Sequence, residues 1–212
     1  MRKTMDPFLK VLDNPMVSHW LCNLRNKNSG NVIFRQAVEL LSQAVFLEAA
    51  SNFDFKNTSF ETPVGPTIGK VLKQEFAIVP ILRAGIGMVD PILRWLGDAR
   101  VYHLGASRNH DTLVPEFYYD KLPKDMSKFH CLVLDPMLAT GGSALETIRR
   151  LRKSGVRKIS FLGLIGSKNG AANLRAEFPD VSITLAALDE ELNHKGYINP
   201  GLGDAGDRFF NT

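Results

Sequence analysis

The chain has 212 residues, of which 44% are hydrophobic and 23% are charged, and its formal net charge is +4. These values are typical of one folded soluble domain, and so small a basic excess gives little support to nucleic-acid binding. No run of about 18 apolar residues occurs, and charged residues interrupt the N-terminal segment, so the sequence predicts neither a membrane span nor a signal peptide. Its two cysteines, Cys22 and Cys131, show no metal-ligand spacing, and we expect reduced thiols in a cytoplasmic protein.

The first two predicted elements are a helix and a hairpin. Between residues 35 and 50, apolar side chains recur at the spacing of an amphipathic helix, namely Val38, Leu41, Val45 and Ala49. Between residues 53 and 74, prolines and glycines punctuate segments that contain threonine, valine and isoleucine. This pattern predicts a β-hairpin arm.

The rest of the chain alternates between apolar runs and helical patterns. The runs cover residues 76–82, 101–104, 131–134, 159–165 and 181–185. Helical segments are predicted at 87–96 and 144–151. Continuous apolar strands separated by amphipathic helices predict an α/β fold with a mostly parallel sheet covered on both faces. In such folds ligands bind beyond the carboxyl ends of the strands, so a ligand site is expected in the loops that follow strands.

The loop after the third run has the chemistry of a phosphosugar site. It reads Asp135, Pro136, Met137, Leu138, Ala139, Thr140, Gly141, Gly142 and Ser143. The glycines permit close backbone approach, and the following helix offers N–H groups and the positive end of its dipole to a phosphate. The carboxylate of Asp135 can accept hydrogen bonds from sugar hydroxyls. The loop, which we call the phosphate loop, therefore predicts a ribose 5-phosphate site, and the absence of a GK[ST] ending argues against a nucleoside-triphosphate P-loop.

A purely structural explanation of this loop is a helix cap. Ser143 and Glu146 match the S-x-x-E capping box. Such a cap would account for these two residues, but it would not account for the glycine pair or for Asp135 at the end of the strand.

Residues 80–88 follow the first run and suit a diphosphate. Gly85 and Gly87 expose backbone N–H groups, and Arg83 supplies a guanidinium that can bind an anion in a bidentate manner. We call this segment the diphosphate loop. The alternative is an ordinary turn between a strand and a helix that carries a surface arginine.

Residues 196–208 contain four glycines and a proline, and we expect no regular structure there. A segment of this kind exposes backbone donors and acceptors, which could match the alternating pattern on the edge of a pyrimidine. Its apolar members, such as Tyr197 and Leu202, would be unfavourable to leave in water, so a disordered tail is a poor explanation.

Residues 134–143 resemble the phosphoribosyl-diphosphate signature of the type I phosphoribosyltransferases. Most of that family has a second acid where Pro136 stands, and the variant with proline resembles the uracil phosphoribosyltransferases. The resemblance implies a single domain, 1–212, with a three-layer α/β/α core. Within it we expect an N-terminal helical region (1–52), a hairpin arm (53–75), the core (76–186) and a C-terminal hood over the base (187–212).

The resemblance also implies a reaction and a set of site residues. The reaction converts uracil and 5-phosphoribosyl 1-diphosphate (PRPP) to UMP and diphosphate, in pyrimidine salvage. It implies Asp204, Arg83 and Arg108 as catalytic residues. PRPP would be held by Arg83, Ala84, Gly85, Arg108, Asp204 and all nine residues of the phosphate loop. Uracil would be held by Ile198, Gly203, Asp204 and Ala205. The implied cofactor is Mg²⁺, bound through PRPP and water, with Asp204 as a candidate contact and no other protein ligand.

The segment around Arg108 departs from the family pattern. Family members often have an aromatic residue in place of Ser107 and a glutamate in place of His110. The change leaves Arg108 in place but affects the loop beside it. The family also implies a homodimer or larger homo-oligomer and, in some members, activation by GTP, although no GTP motif is evident in this sequence.

Two other functions are compatible with the same fold. One is an RNA-binding pyrimidine regulator, which would need a broad basic face that a net charge of +4 does not supply. The other is a phosphoribosyltransferase for orotate or a purine. A hood with Asp204 would repel the extra carboxylate of orotate, and a purine would require a larger pocket.

Overall fold

The computed structural model describes residues 8–108 and 115–212. The strands in these ranges are β1 (Leu9–Val11), β2 (Phe55–Glu61), β3 (Pro66–Leu72), β4 (Glu75–Leu82), β5 (Arg100–Val101), β6 (Leu104–Arg108), β7 (Pro115–Asp120), β8 (Phe129–Leu134), β9 (Met137–Leu138), β10 (Lys158–Ser167), β11 (Ser182–Asp189), β12 (Glu191–Leu192) and β13 (Ile198–Asn199). The helices are α1 (Pro15–Arg25), α2 (Asn31–Ala50), a 3₁₀ helix (Ala84–Met88), α3 (Val89–Leu93), α4 (Gly142–Lys153), α5 (Lys168–Glu177) and α6 (Ala205–Phe210).

The main sheet is mostly parallel, as predicted. Its central order is β1-β11-β10-β8-β4-β6-β7, with β5 beside β4 and β9 beside β10. Only the pair β6–β7 is antiparallel among the strand pairs of this sheet in the described ranges. All six residues of β8 are buried, which explains why this strand reads as a continuous apolar run.

Helices cover both faces of the sheet and form two cores. Along β8, Leu132 and Leu134 pack into the core that contains α1, α2 and α3. Their neighbours Cys131 and Val133 face the opposite core, which contains α4 and α5. This alternation follows from the two-residue period of a strand, and it gives the expected three-layer α/β/α architecture.

The predicted helix and hairpin near the N-terminus are both present. Helix α2 begins four residues before the predicted start, and it buries the apolar stripe seen in the sequence. Strands β2 and β3 pair in antiparallel register from Phe55 opposite Leu72 to Glu61 opposite Pro66. They form a separate two-stranded sheet, the hairpin arm, with exposed apolar side chains that include Val64 and Ile68.

Three local predictions were wrong in part. The helix expected at 87–96 is divided into a 3₁₀ turn and the five-residue helix α3, which contains Pro91 and so lacks one backbone donor. The apolar run 101–104 is not one strand, because β5 ends at Val101 and β6 begins at Leu104. The glycine-rich segment 196–208 does contain regular structure, since β13 lies within it and α6 begins at Ala205.

No helix in the described ranges is both long and apolar enough to span a bilayer.

Candidate active site

The phosphate and diphosphate loops are neighbours because the strands before them are paired in parallel. Pro80 of β4 lies opposite Leu134 of β8, so the two chains leave the sheet at the same edge. Gly85 is buried between them, and a Cβ atom there would clash with the carbonyl oxygen of Leu134. The glycine therefore permits the close approach of the two loops.

Backbone bonds to β10 fix the start of the phosphate loop. The carbonyl of Pro136 accepts from the N–H groups of Leu164 (3.1 Å) and Ile165 (2.9 Å), and Met137–Leu138 form β9 alongside β10. The Asp135 carboxylate accepts from the Met137 N–H at 3.1 Å. This turn holds Asp135 at the end of β8, facing the cleft described below.

The end of the phosphate loop is the N-terminus of α4. Gly141 has a φ of 86°, in the left-handed region that favours glycine, and it stands at the N-cap without a side-chain cap. The Gly142 N–H lies 3.4 Å from the Thr140 hydroxyl oxygen. Helix geometry leaves first-turn N–H groups such as that of Ser143 without intrahelical acceptors, as an anion site requires. The capping box does not form, because the N-cap is Gly141 rather than Ser143, and Glu146 pairs with arginines of α4.

Helix α5 supports the phosphate loop from behind, which the sequence reasoning missed. The Ser167 hydroxyl donates to the Ala139 carbonyl (2.6 Å), and the Asn173 amide donates to the Thr140 carbonyl (3.0 Å). Gly170 packs so closely that a Cβ atom there would clash with the Ala139 carbonyl oxygen. A serine before a helix is a recognisable N-cap signal, and Ser167 does accept from the Gly170 N–H (2.8 Å), but the pattern does not reveal the loop contact.

The diphosphate loop contacts the C-terminal helix. The Arg83 guanidinium donates to the Asp207 carboxylate at 2.9 Å and lies 5.9 Å from the centre of the Phe210 ring. A Cβ atom on Gly87 would lie 2.6 Å from the Phe209 ring, so this glycine also brings the loop and α6 together. Arg83 is about half exposed, which leaves it accessible to a ligand in the cleft.

The hood is more ordered than its composition indicated. Strands β12 and β13 pair with Leu192 opposite Ile198, and the chain then turns through Gly201 and Gly203, both with positive φ. Asp204 is the N-cap of α6, and its carboxylate accepts from the Asp207 N–H at 2.9 Å. A Cβ atom on Gly206 would lie 3.2 Å from that carboxylate and 3.8 Å from Arg83 Nη2, so the two charged groups flank one glycine.

These three segments surround one cleft of about 920 Å³. The sequence-predicted residues that line it are Arg83, Ala84, Asp135, Met137, Leu138, Ala139, Thr140, Gly141, Gly142, Ser143, Ile198, Gly203, Asp204 and Ala205. Gly85 and Pro136 do not line it and instead hold the loops against the sheet. The lining residues that sequence reasoning missed include Ala106, Tyr118, His194, Lys195, Tyr197 and Gly206.

The remaining predicted residue is Arg108. Its backbone ends β6 and pairs with that of Pro115 on β7. Its side chain and that of Ser107 lie outside what the structure describes, as does His110. The predicted diphosphate contact of Arg108 therefore stays a prediction.

A buried histidine lies at the amino end of β8, away from the cleft. His130 Nδ1 is 2.8 Å from the Gln74 amide nitrogen, and Nε2 is 2.9 Å from the Ser160 hydroxyl. The Asp54 N–H donates to the Gln74 side-chain oxygen, which assigns the amide nitrogen as the donor to Nδ1. Burial lowers the pKa of His130 to about 4, with a further contribution from the positive charge of Lys158. This histidine is neutral near pH 7 and has a structural role.

Comparison with known proteins identifies relatives over nearly the whole chain. A family model described as uracil phosphoribosyltransferase matches residues 11–212. The chain is 47% identical over 203 residues to the uracil phosphoribosyltransferase of Shouchella clausii. This alignment spans 95% of this chain and 97% of that protein. The chain is 48% identical over 203 residues to that of Dictyoglomus thermophilum, spanning 95% and 98% respectively.

Solved structures agree with these sequence relationships. A protein from Aquifex aeolicus matches with a TM-score of 0.88 and 32% identity, over 95% of this chain and 97% of its own. A hypoxanthine-guanine phosphoribosyltransferase from Bacillus anthracis matches with a TM-score of 0.50 and 9% identity, over 74% of this chain and 80% of its own. At 9% identity the likeness concerns the fold alone. The fold implied by the phosphate-loop signature is confirmed.

Proposed function

This chain belongs to the uracil phosphoribosyltransferase family, and we propose that it transfers the 5-phosphoribosyl group of PRPP to uracil, giving UMP and diphosphate. Such a pentosyltransferase serves pyrimidine salvage. The observation that supports this most directly is that the phosphate loop, Arg83 and the hood line the same cleft. Each of the three substrate parts, the 5-phosphate, the diphosphate and the base, has a group of suitable chemistry there.

The reaction is a substitution at the anomeric carbon of ribose. The bond from this carbon to a diphosphate oxygen breaks, and its electron pair leaves with the diphosphate. A bond to N1 of uracil forms, and N1 loses its proton. Negative charge accumulates on the leaving group while the sugar becomes oxocarbenium-like, so positioned charges provide the catalysis. We assign the neutralisation of the diphosphate to Arg83, with Arg108 as a second cation.

The phosphate loop is assigned to the sugar. The N–H groups at the start of α4, with the hydroxyls of Thr140 and Ser143, would bind the 5-phosphate. Asp135 lines the cleft at the end of β8 and would accept hydrogen bonds from the ribose hydroxyls. The sugar would thereby be fixed at both ends, leaving the anomeric carbon facing the hood.

The hood is assigned to the base. Ile198, Gly203 and Ala205 line the cleft, and their backbone groups would present both donors and acceptors to the edge of uracil. The carboxylate of Asp204 and the guanidinium of Arg83 flank Gly206, and we propose that this carboxylate acts where the base meets the leaving group. It is also the candidate acceptor of the N1 proton.

The residues of the cleft fit a magnesium ion that arrives with PRPP. Mg²⁺ commonly uses one or two carboxylates together with phosphate oxygens and water, and Asp204 is an exposed carboxylate at the cleft. In the described ranges no cluster of three or more acidic, histidine or cysteine side chains forms a metal site, so the other ligands would come from substrate and water. When bound, the ion would offset the charge of the diphosphate.

We further propose a cytoplasmic homo-oligomer. The hairpin arm supports an oligomer because it exposes apolar side chains, with Val64 97% and Ile68 72% exposed, and such surfaces commonly mark protein contacts. Activation by GTP rests on the family resemblance, and measuring turnover with and without GTP tests it.

One assay tests the proposed activity. The protein is mixed with Mg²⁺ and PRPP and is offered uracil, cytosine, orotate, hypoxanthine or adenine separately, and nucleoside monophosphates are measured. UMP formation from uracil alone is the expected result. Turnover of a different base, with none of uracil, would contradict the assignment of the hood.

A further inference from the structure

The hood is tied to helix α1 by a largely buried ion pair. Arg25, the last residue of α1, donates through Nη1 to Asp189 Oδ2 (2.7 Å) and through Nη2 to Asp189 Oδ1 (2.6 Å). Asp189 ends β11 and is only 8% exposed. Neither residue lines the cleft, so neither is placed to contact a substrate directly.

Both members of the pair also hold the backbone of one hood residue. Arg25 Nη1 donates to the Gly201 carbonyl at 2.8 Å, and the Gly201 N–H donates to Asp189 Oδ2 at 2.9 Å. Gly201 has a φ of 55°, and a Cβ atom there would clash with the Ile198 carbonyl oxygen. The peptide groups on both sides of Gly201 are therefore fixed by charged partners, in a conformation that favours glycine.

This contact lies between the two parts of the hood assigned to uracil. Gly201 follows Ile198 by three residues and precedes Gly203 by two, so a shift of its backbone moves both. In open α/β sheets ligands bind beyond the carboxyl ends of the strands, and Asp189 stands at such an end. Here the carboxylate at the end of β11 instead binds the chain that carries the base-binding groups.

A second arginine, which lies in the hood, donates hydrogen bonds back to the end of α1. Arg208 of α6 donates to the carbonyls of Leu24 (2.6 Å) and Leu202 (2.8 Å) through Nη1, and to that of Asn26 (2.7 Å) through Nη2. The carboxyl end of α1 thus supports the hood on both sides of Gly203. A loop held at several backbone atoms keeps its donors and acceptors in place before the base arrives.

From this geometry we infer that Arg25 and Asp189 are positioning residues for recognition of the base, acting through the backbone of Gly201. The inference rests on the proposed function of the hood. The cleft then has a phosphosugar part, where binding does not depend on the Arg25–Asp189 pair, and a base part, where binding does.

The test compares Arg25→Ala with Arg149→Ala. Arg149 is a suitable control because it forms a bidentate pair with Glu177 on the surface of α4, away from the hood. Calorimetry measures binding of UMP, which uses both parts of the cleft, and of ribose 5-phosphate, which uses the phosphate loop only. For Arg25→Ala we expect UMP affinity to fall about 10- to 100-fold, as loss of positioning does, with ribose 5-phosphate affinity within about twofold of wild type. Arg149→Ala should change neither.

Kinetics supply a second readout that a general loss of stability would not mimic. Arg25→Ala should raise KM for uracil far more than KM for PRPP, and Arg25→Lys, which keeps the charge but only part of the geometry, should lie between it and wild type. Equal losses for UMP and ribose 5-phosphate, or no loss of either, would overturn the inference. If Arg25→Ala does not fold, Asp189→Asn with the same two ligands decides the question.

The two hypotheses fail in different ways. If wild-type protein makes no UMP from uracil, the proposed function fails, whatever the variants do. If it makes UMP and Arg25→Ala has normal UMP affinity and a normal KM for uracil, the function stands and the positioning role is wrong.

Discussion

Arg83 and Asp207 form a 2.9 Å ion pair that joins the diphosphate loop to the first turn of α6. Both side chains are about half exposed, and pairs of this kind contribute only about 0–1 kcal/mol to stability. The main effect of this ion pair is therefore to position the Arg83 guanidinium rather than to stabilise the fold. Asp207 keeps Arg83 at the cleft, beside the place assigned to the leaving diphosphate.

We expect Arg83→Ala to weaken PRPP binding by about 10- to 100-fold, which corresponds to the loss of a charge-assisted contact worth about 1.5–3 kcal/mol. Titration calorimetry with PRPP and Mg²⁺ measures the change. Arg94→Ala is the matched control, since Arg94 is also exposed and paired, with Glu39, but does not line the cleft. Equal PRPP affinity in Arg83→Ala and wild type would show that Arg83 is only a surface residue.

Asp204 has two separable roles, as a helix cap and as a carboxylate in the cleft. Serine is also a good N-cap residue, so Asp204→Ser should keep α6 stable while removing the charge. We expect this variant to lose most of its turnover with little change in Tm. Asp204→Ala should lose turnover and also about 1 kcal/mol of stability with the cap. A kcat/KM for uracil that is unchanged in Asp204→Ser would exclude the catalytic role.

The support behind the phosphate loop predicts a strong effect at a glycine outside the cleft. Gly170→Ala places a methyl group against the Ala139 carbonyl, so the loop or α5 must shift. We expect a loss of about 1–3 kcal/mol in the free energy of unfolding, together with weaker ribose 5-phosphate binding. Gly97→Ala is the control, because a Cβ atom there meets nothing within 4 Å. Similar behaviour of the two variants in denaturation and binding would contradict the proposed contact.

His130 predicts a specific dependence of stability on pH. Its folded pKa is about 4, whereas an unfolded histidine has a pKa of about 6.5, so the unfolded chain binds a proton more readily between these values. Stability from this group is complete above about pH 6.5 and falls as the pH drops towards 4, by about 3 kcal/mol in total. Urea denaturation of wild type and His130→Gln at several pH values isolates the effect. A pH profile that keeps the same slope in the variant would assign the loss to other groups.

The sequence predicted which segments line one cleft better than it predicted the elements around that cleft. Apolar runs marked β4, β8, β10 and β11 because strands buried on both faces have few polar positions, and glycines marked the loops that follow β4 and β8. The helix α6 was missed because it is six residues long and begins within a glycine-rich segment, although Asp204 carries the N-cap signal. Contacts such as Arg25 with Asp189 join residues 164 positions apart, and no local pattern records them.

The same sequence separations predict that the two parts of the cleft form at different times during folding. The phosphate loop is supported by side chains 28 and 33 positions away, whereas the hood is tied to the end of α1 by contacts that span 164 to 184 positions. Closing a longer segment carries a larger entropic penalty, and chains rich in distant contacts fold more slowly. During refolding the chain should therefore regain affinity for ribose 5-phosphate before it regains selectivity among the bases.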